Sequence, residues 1–232
     1  MKNFAIVTIS LLMFVACSKS TKPADNNWII LFDGTSADSF RGYGIKEFPQ
    51  GVWVVENGSL ITNPDTANRD LITKDRYGNF ELQYEWAVDT AANSGVFFHI
   101  QENLAMEAGN GNSPNWLDNF EIQILDDQHF YDTLAVRSAG SLYDLIKPVN
   151  KALKPIGEFN QAVLIHNNGH VEHWLNGNKV LEFEIKSPEM KALLASSKFK
   201  DNPGYHSDKE GHIMLQHHGQ RVYFRNIKVR DL

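Results

Sequence analysis

From Trp28 onward, apolar and polar residues alternate in short runs broken by Gly, Asn, Asp and Pro. This period-two pattern, enriched in Val, Ile, Phe, Tyr and Trp, predicts strands rather than helices. The runs are Trp53–Glu56, Ser59–Asn63, Leu71–Thr73, Phe80–Val88, Gly95–Gln101, Phe120–Leu125, Asn160–Asn167, His170–Leu175, Lys179–Ile185, His212–His218 and Val222–Arg230. Asn57-Gly58, Asn168-Gly169 and Asn176-Gly177 lie between or beside such runs. Asn-Gly favours the positive-φ turns that join antiparallel strands. His218-Gly219-Gln220 reads as a further hairpin. One helix is expected, with Ser187 as N-cap, Pro188 in the first turn and Glu189 complementing the dipole. A weaker helical turn is expected near Leu142–Ile146. Many short strands with tight turns predict an all-β sandwich in one domain spanning 28–232.

The strands can be assigned faces. Phe120, Ile122 and Ile124 point to a core, leaving Glu121 and Gln123 on the opposite side. Val96, Phe98 and Ile100 likewise oppose Phe97, His99 and Gln101. Leu82, Tyr84 and Trp86 oppose Glu81, Gln83 and Glu85. Ile213 and Leu215 oppose Met214, Gln216 and His218. A solvated sheet face is one reading of these polar positions, but Asp and Lys would be expected there. Glu, Gln, His and Phe together suit a cleft that binds a neutral polar ligand.

Composition narrows the class. The 232 residues are 42% hydrophobic and carry one cysteine, which excludes an intramolecular disulfide framework. A formal charge of −6 with interspersed signs gives no footprint for nucleic acid. Lys2 followed by the apolar run Phe4 to Ala16 resembles a signal peptide, being shorter than the roughly 20 residues of a membrane span. The run ends in Phe14-Val15-Ala16-Cys17, similar to a bacterial lipobox. Residues 1–16 are therefore expected to be removed, Cys17 lipidated, and 17–27 to act as a polar tether. The expected location is the bacterial cell envelope, with membrane attachment through the lipid alone.

Several short stretches stand in order along the chain: Leu31-Phe32-Asp33-Gly34, Asn93-Ser94-Gly95-Val96-Phe97-Phe98, Glu121-Ile122-Gln123-Ile124-Leu125-Asp126 and Ala139-Gly140-Ser141-Leu142-Tyr143. Gly157-Glu158-Phe159-Asn160, His173-Trp174-Leu175-Asn176-Gly177 and Gly211-His212-Ile213-Met214-Leu215-Gln216-His217-His218-Gly219 follow, the last running on to Phe224-Arg225-Asn226-Ile227. Together they resemble the 3-keto-disaccharide hydrolase domain family. The resemblance implies a concanavalin A-like jelly-roll sandwich of two curved antiparallel sheets. Two positions depart from the family pattern: His99 stands where Arg is usual, and His217 where Asp is usual.

The resemblance also implies cleavage of a glycosidic bond in a sugar already oxidised to a ketone at C3. A 3-keto group acidifies the C2 proton, so a base can remove it while the C1 substituent leaves, and water then adds. Glu121 is the first candidate for the acid/base, with His218 and Tyr143 as further catalytic candidates. Gln123, Gln216, His99, Glu85, Trp174 and Arg225 are candidates for substrate binding. A divalent metal is a conceivable Lewis acid, with His99, His218 and Glu121 as candidate ligands. No sequence like HExxH supports one, and each histidine or tryptophan has an ordinary structural alternative. Two other functions compete. A retaining glycoside hydrolase would need two carboxylates about 5–5.5 Å apart, with Glu85 as a partner for Glu121. A lectin-like glycan-binding module would need no catalytic group. The chain lacks GxGxxG after a strand and a P-loop, so a separate sugar oxidoreductase is expected to supply the 3-keto substrate.

Overall fold

The computed structural model describes residues 27–102, 119–201 and 209–232. Cys17 and the expected signal and tether lie outside the described residues, apart from Asn27. Thirteen strands are present: β1 (Ile29–Phe32), β2 (Phe40–Gly42), β3 (Trp53–Glu56), β4 (Ser59–Thr62), β5 (Leu71–Thr73), β6 (Phe80–Val88), β7 (Asn93–Ile100), β8 (Phe120–Leu125), β9 (Asn160–Asn167), β10 (His170–Leu175), β11 (Asn178–Glu184), β12 (His212–Leu215) and β13 (Val222–Asp231). Every pairing between them is antiparallel. One sheet has eight strands, ordered β11-β10-β9-β6-β13-β4-β3, with β1 also pairing β13; the other has five, ordered β2-β5-β12-β7-β8. This is the expected all-β jelly-roll sandwich, with one short α-helix among the described residues.

The core lies between the sheets. Leu82, Tyr84 and Trp86 of β6 meet Val96, Phe98, Phe120, Ile122 and Ile124 from the smaller sheet in one buried cluster. Alternation therefore turns Phe97, Glu121, Gln123 and Met214 to the outer face of the five-stranded sheet. There a second buried cluster forms from Tyr43, Ile72, Phe97, Ile100 and Met214. This outer face therefore carries a buried apolar patch, and a polar side chain beside it is held away from water.

The turn chemistry matches expectation. Asn57-Gly58, Asn168-Gly169 and Asn176-Gly177 all have positive φ and close the β3–β4, β9–β10 and β10–β11 hairpins. The helix α1 (Pro188–Ser196) is capped by Ser187, whose hydroxyl accepts from the Met190 amide at 3.0 Å.

Three local expectations change. His218-Gly219-Gln220 is not a hairpin, because β12 and β13 belong to different sheets and the segment crosses between them. Leu142–Ile146 is a turn closed by a β-bridge rather than a helical one. The alternation in β7 breaks at its end: β12 residues His212 and Met214 pair with Ile100 and Phe97, so two residues of β7 oppose one. His99, at φ +60, takes up this bulge. Ile100 consequently joins the outer cluster and His99 turns inward.

Candidate active site

Glu121, the second residue of β8, projects onto the outer face, directly across from Phe97 of β7. Its side chain bends over Gly95. A β-carbon placed on Gly95 would lie 2.8 Å from Glu121 Cγ and 2.9 Å from Cδ, closer than packed atoms approach. Only glycine leaves the space in which this carboxylate lies. Gln123, paired with Gly95, follows on the same face. On the far side of β8, the chain at 140–143 adds ladder bonds. Gly140 N donates to Gln123 O at 2.8 Å, Gln123 N to Ser141 O at 3.1 Å and Tyr143 N to Glu121 O at 3.0 Å. On the β7 side, Gln216 N donates to Gly95 O at 2.9 Å, and Ser94 Oγ to Gln216 O at 2.8 Å.

These strands bring Asn93, Glu121, Gln123, Tyr143, Gln216 and His218 around one cavity of about 220 Å³. That is room for one sugar ring. Among the described lining residues Glu121 is the only carboxylate. It is 6% exposed. Burial pushes its pKa up to about 8; the charge of Lys198 opposes this and that of Asp70 adds to it. Tyr143 is pushed up to about 12, first by burial and then by Glu121, so its phenol remains protonated and able to donate. Lys198, just beyond α1, sits with Nζ 4.2 Å from the Tyr143 ring centroid. Arg137 pairs with Asp144 and with Asp132 at 2.9 Å, which fixes the loop beneath Tyr143.

The amides are as informative as the carboxylate. Asn93 Oδ1, Gln123 Oε1 and Gln216 Oε1 are buried and accept no hydrogen bond. Three unsatisfied acceptors in one wall are costly unless a ligand supplies donors. Hydroxyl groups of a sugar meet that need. Asn93 and Lys198 were not among the sequence candidates. Asn93 was legible in principle, two residues from Gly95 on the same face; Lys198 arrives through packing of α1 and leaves no sequence signal.

The structure brings Glu121, Gln123, Tyr143, Gln216 and His218 together and leaves four other candidates elsewhere. His99 is buried between the sheets, with its Nε2 3.1 Å from Gly78 O and its ring 4.3 Å from that of His166. The bulge that turns it inward removes it from the cavity. Glu85 and Arg225 pair with each other at 2.7 Å on the outer face of the eight-stranded sheet. Trp174 lies on that same sheet, donating to Glu172 at 2.7 Å beneath Lys179. Alternation shows that a residue faces outward, but each sheet has its own outer face. The unusual His217 also lies outside the cavity: its amide donates to Asp70 at 2.7 Å and its ring packs edge-on against Trp53.

The metal expectation moves with these placements. His99 cannot share an ion with Glu121 and His218. Among the described residues, the His/Glu cluster that could coordinate a divalent ion is His170, Glu172 and Glu182, whose ligand atoms lie within 4.8 Å of one another. It lies on β10 and β11 of the larger sheet, where Lys179 already bridges Glu172 at 3.2 Å and Glu182 at 2.6 Å. The donor set at the Glu121 cavity, one carboxylate with three amides, instead suits a neutral hydroxylated ligand.

Fold and cavity together define a jelly-roll protein with one desolvated carboxylate in a sugar-sized, amide-lined pocket. Residues 27–230 match the model of the 3-keto-alpha-glucoside-1,2-lyase-like domain, and the chain belongs to that family. It is 33% identical, over 94% of its length and 86% of the relative, to the 3-keto-disaccharide hydrolase of Bacteroides thetaiotaomicron. A crystal structure of a candidate glycosyl hydrolase from Parabacteroides distasonis is similar at a TM-score of 0.78 and 28% identity, covering 89% of this chain and 94% of that one. A second from the same organism has a TM-score of 0.66 and 25% identity, covering 89% and 100%. The chain therefore stands among carbohydrate-active hydrolases and lyases.

Two measurements check the geometry. Gly95→Ala is expected to fold but to displace the Glu121 carboxyl, seen in a crystal structure of the variant; an unmoved Glu121 would refute the packing argument. Glu121 also makes stability depend on pH. The folded protein holds the Glu121 proton more tightly than the unfolded chain does, so its contribution is full below pH 4.5 and is lost as pH rises to about 8. Denaturation of wild type and Glu121→Gln should show the variant gaining relative stability across that window and no further above it. A constant difference would contradict the burial of this group.

Proposed function

We propose that this protein cleaves the glycosidic bond of 3-keto glycosides by elimination followed by hydration. The observation that carries this is the single desolvated carboxylate of Glu121, flanked by amides with free acceptors. The family and the name of the relative from Bacteroides thetaiotaomicron support the substrate class.

The ionised Glu121 takes the proton from C2, and the electron pair moves toward the C3 carbonyl as an enolate. Amide N–H groups of Gln123 and Gln216 and the Tyr143 hydroxyl are the donors available to that oxygen. Collapse of the enolate breaks the C1–O bond. The leaving oxygen takes a proton from Tyr143 or from His218 at the rim, leaving an enone between C1 and C3. Water then adds its oxygen to C1 and gives its proton to the Tyr143 or His218 group that protonated the leaving oxygen, while Glu121 returns its proton to C2, releasing the free 3-keto sugar. Asn93, Gln123 and Gln216 hold the ring by accepting from its hydroxyls. One carboxylate suffices for this route. A retaining glycosidase needs a pair, and Glu85, its candidate partner, is paired with Arg225 on the other sheet.

The oxidation at C3 falls to a separate oxidoreductase in this reading. The chain itself is held at the bacterial envelope by a lipid on Cys17. Metabolic labelling with an alkynyl fatty acid should mark the wild type and not Cys17→Ser; an unlabelled wild type would refute the anchor.

The decisive assay offers wild type and Glu121→Gln a 3-keto glucoside and its unoxidised parent, with and without chelator. Wild type should release the aglycone from the oxidised substrate only, and Glu121→Gln should be slower by about 10³-fold. Because the base must be ionised, kcat/KM should rise with pH and level off above about 8. Cleavage of the unoxidised parent would point to glycosidase chemistry, and binding without turnover to a lectin-like module.

A further inference from the structure

The cavity has room for one ring, so the group leaving from C1 must extend beyond its mouth. His218 lines that mouth and is exposed to solvent. The Phe130 ring stands edge-on to His218, with centroids 6.4 Å apart, and the Tyr131 ring lies 4.5 Å beyond Phe130 at an interplanar angle of 31°. Three rings are thus in successive contact, from the cavity-lining His218 through Phe130 to Tyr131. Phe130 is part of the hydrophobic core, whereas Tyr131 is 86% exposed.

The loop holding Tyr131 is firmly built. The buried Asp126 carboxylate accepts from Ala91 N at 2.7 Å and Gln128 N at 3.0 Å, and lies 2.8 Å from His129 Nδ1. Phe130 N donates to Asp126 O at 3.1 Å. Beyond Tyr131, Asp132 receives Leu134 N at 3.2 Å and pairs with Arg137 at 2.9 Å. Both neighbours of Tyr131 are fixed while its own ring stays in water. An exposed aromatic on a rigid support loses little entropy when a ring packs on it.

We propose that Tyr131 is a specificity-determining platform for the leaving group, receiving the face of a ring-bearing aglycone, a second sugar or an aryl group. The proposal rests on the cleavage reading above. It assigns sugar recognition to the amide-lined cavity and aglycone preference to the 126–134 loop. Small aglycones do not reach the platform.

The test compares wild type and Tyr131→Ala on a 3-keto disaccharide, an aryl 3-keto-glucoside and methyl 3-keto-glucoside. For the two ring aglycones kcat/KM should fall roughly five- to tenfold, mainly through KM. The methyl glycoside should be unaffected, and Tyr131→Trp should restore the ring substrates. An equal loss on all three substrates, or no loss on any, overturns the platform while leaving the cleavage reading intact. A wild type inert to all three overturns that reading and the platform with it.

Discussion

The site depends on the close approach of two neighbouring strands at a residue with no side chain. Gly95 leaves a gap on the outer face of β7, and the Glu121 side chain of β8 fills it. Any larger residue at 95 would collide with the Glu121 side chain and displace the carboxyl from this position. The apolar cluster around Phe97 and Met214 adds to the effect by excluding solvent from the adjoining part of the face. A carboxylate held in this way pays a desolvation cost in stability and becomes a stronger base than one in solution.

The rest of the sandwich supplies rigidity to that arrangement. The inner faces of both sheets form one packed core, so the outer face of the smaller sheet is a fixed platform. Ladder bonds from the 140–143 segment and from Gln216 tie the chains flanking β7 and β8 into the same surface. Groups on this surface need little reorganisation to meet a substrate, which suits a reaction whose charge develops on a ketone oxygen. In the proposed reaction the placement also separates tasks: amide oxygens would meet sugar hydroxyls, Glu121 would move a proton, and the loop at 126–134 would face the leaving group.

Much of the fold was legible because strand periodicity and turn chemistry agree. Phe80–Val88, Phe120–Leu125 and Asn160–Asn167 have the bounds their patterns predict, and each Asn-Gly turn has the backbone that the dipeptide favours. β1 and β2 were missed; they pair with the distant β13 and β5. Of the six described residues that share the cavity, Glu121, Gln123, Gln216 and His218 were legible from facing, and the family resemblance added Tyr143. His99 was misplaced because a bulge, invisible to strict alternation, reverses its direction. Glu85, Arg225 and Trp174 were misplaced for a different reason. Periodicity gives the side of a strand on which a residue sits, but only topology gives the sheet to which the strand belongs.

The central claim is that Glu121 removes the proton at C2 of a 3-keto sugar. Incubation with a 3-keto glucoside in deuterium oxide tests it most directly, by following deuterium at C2 of recovered substrate and product by NMR. The account predicts deuterium at C2 with wild type and its loss with Glu121→Gln. Turnover by wild type with the C2 proton fully retained from substrate to product, in solvent-exchange conditions, together with undiminished turnover by Glu121→Gln, would contradict it.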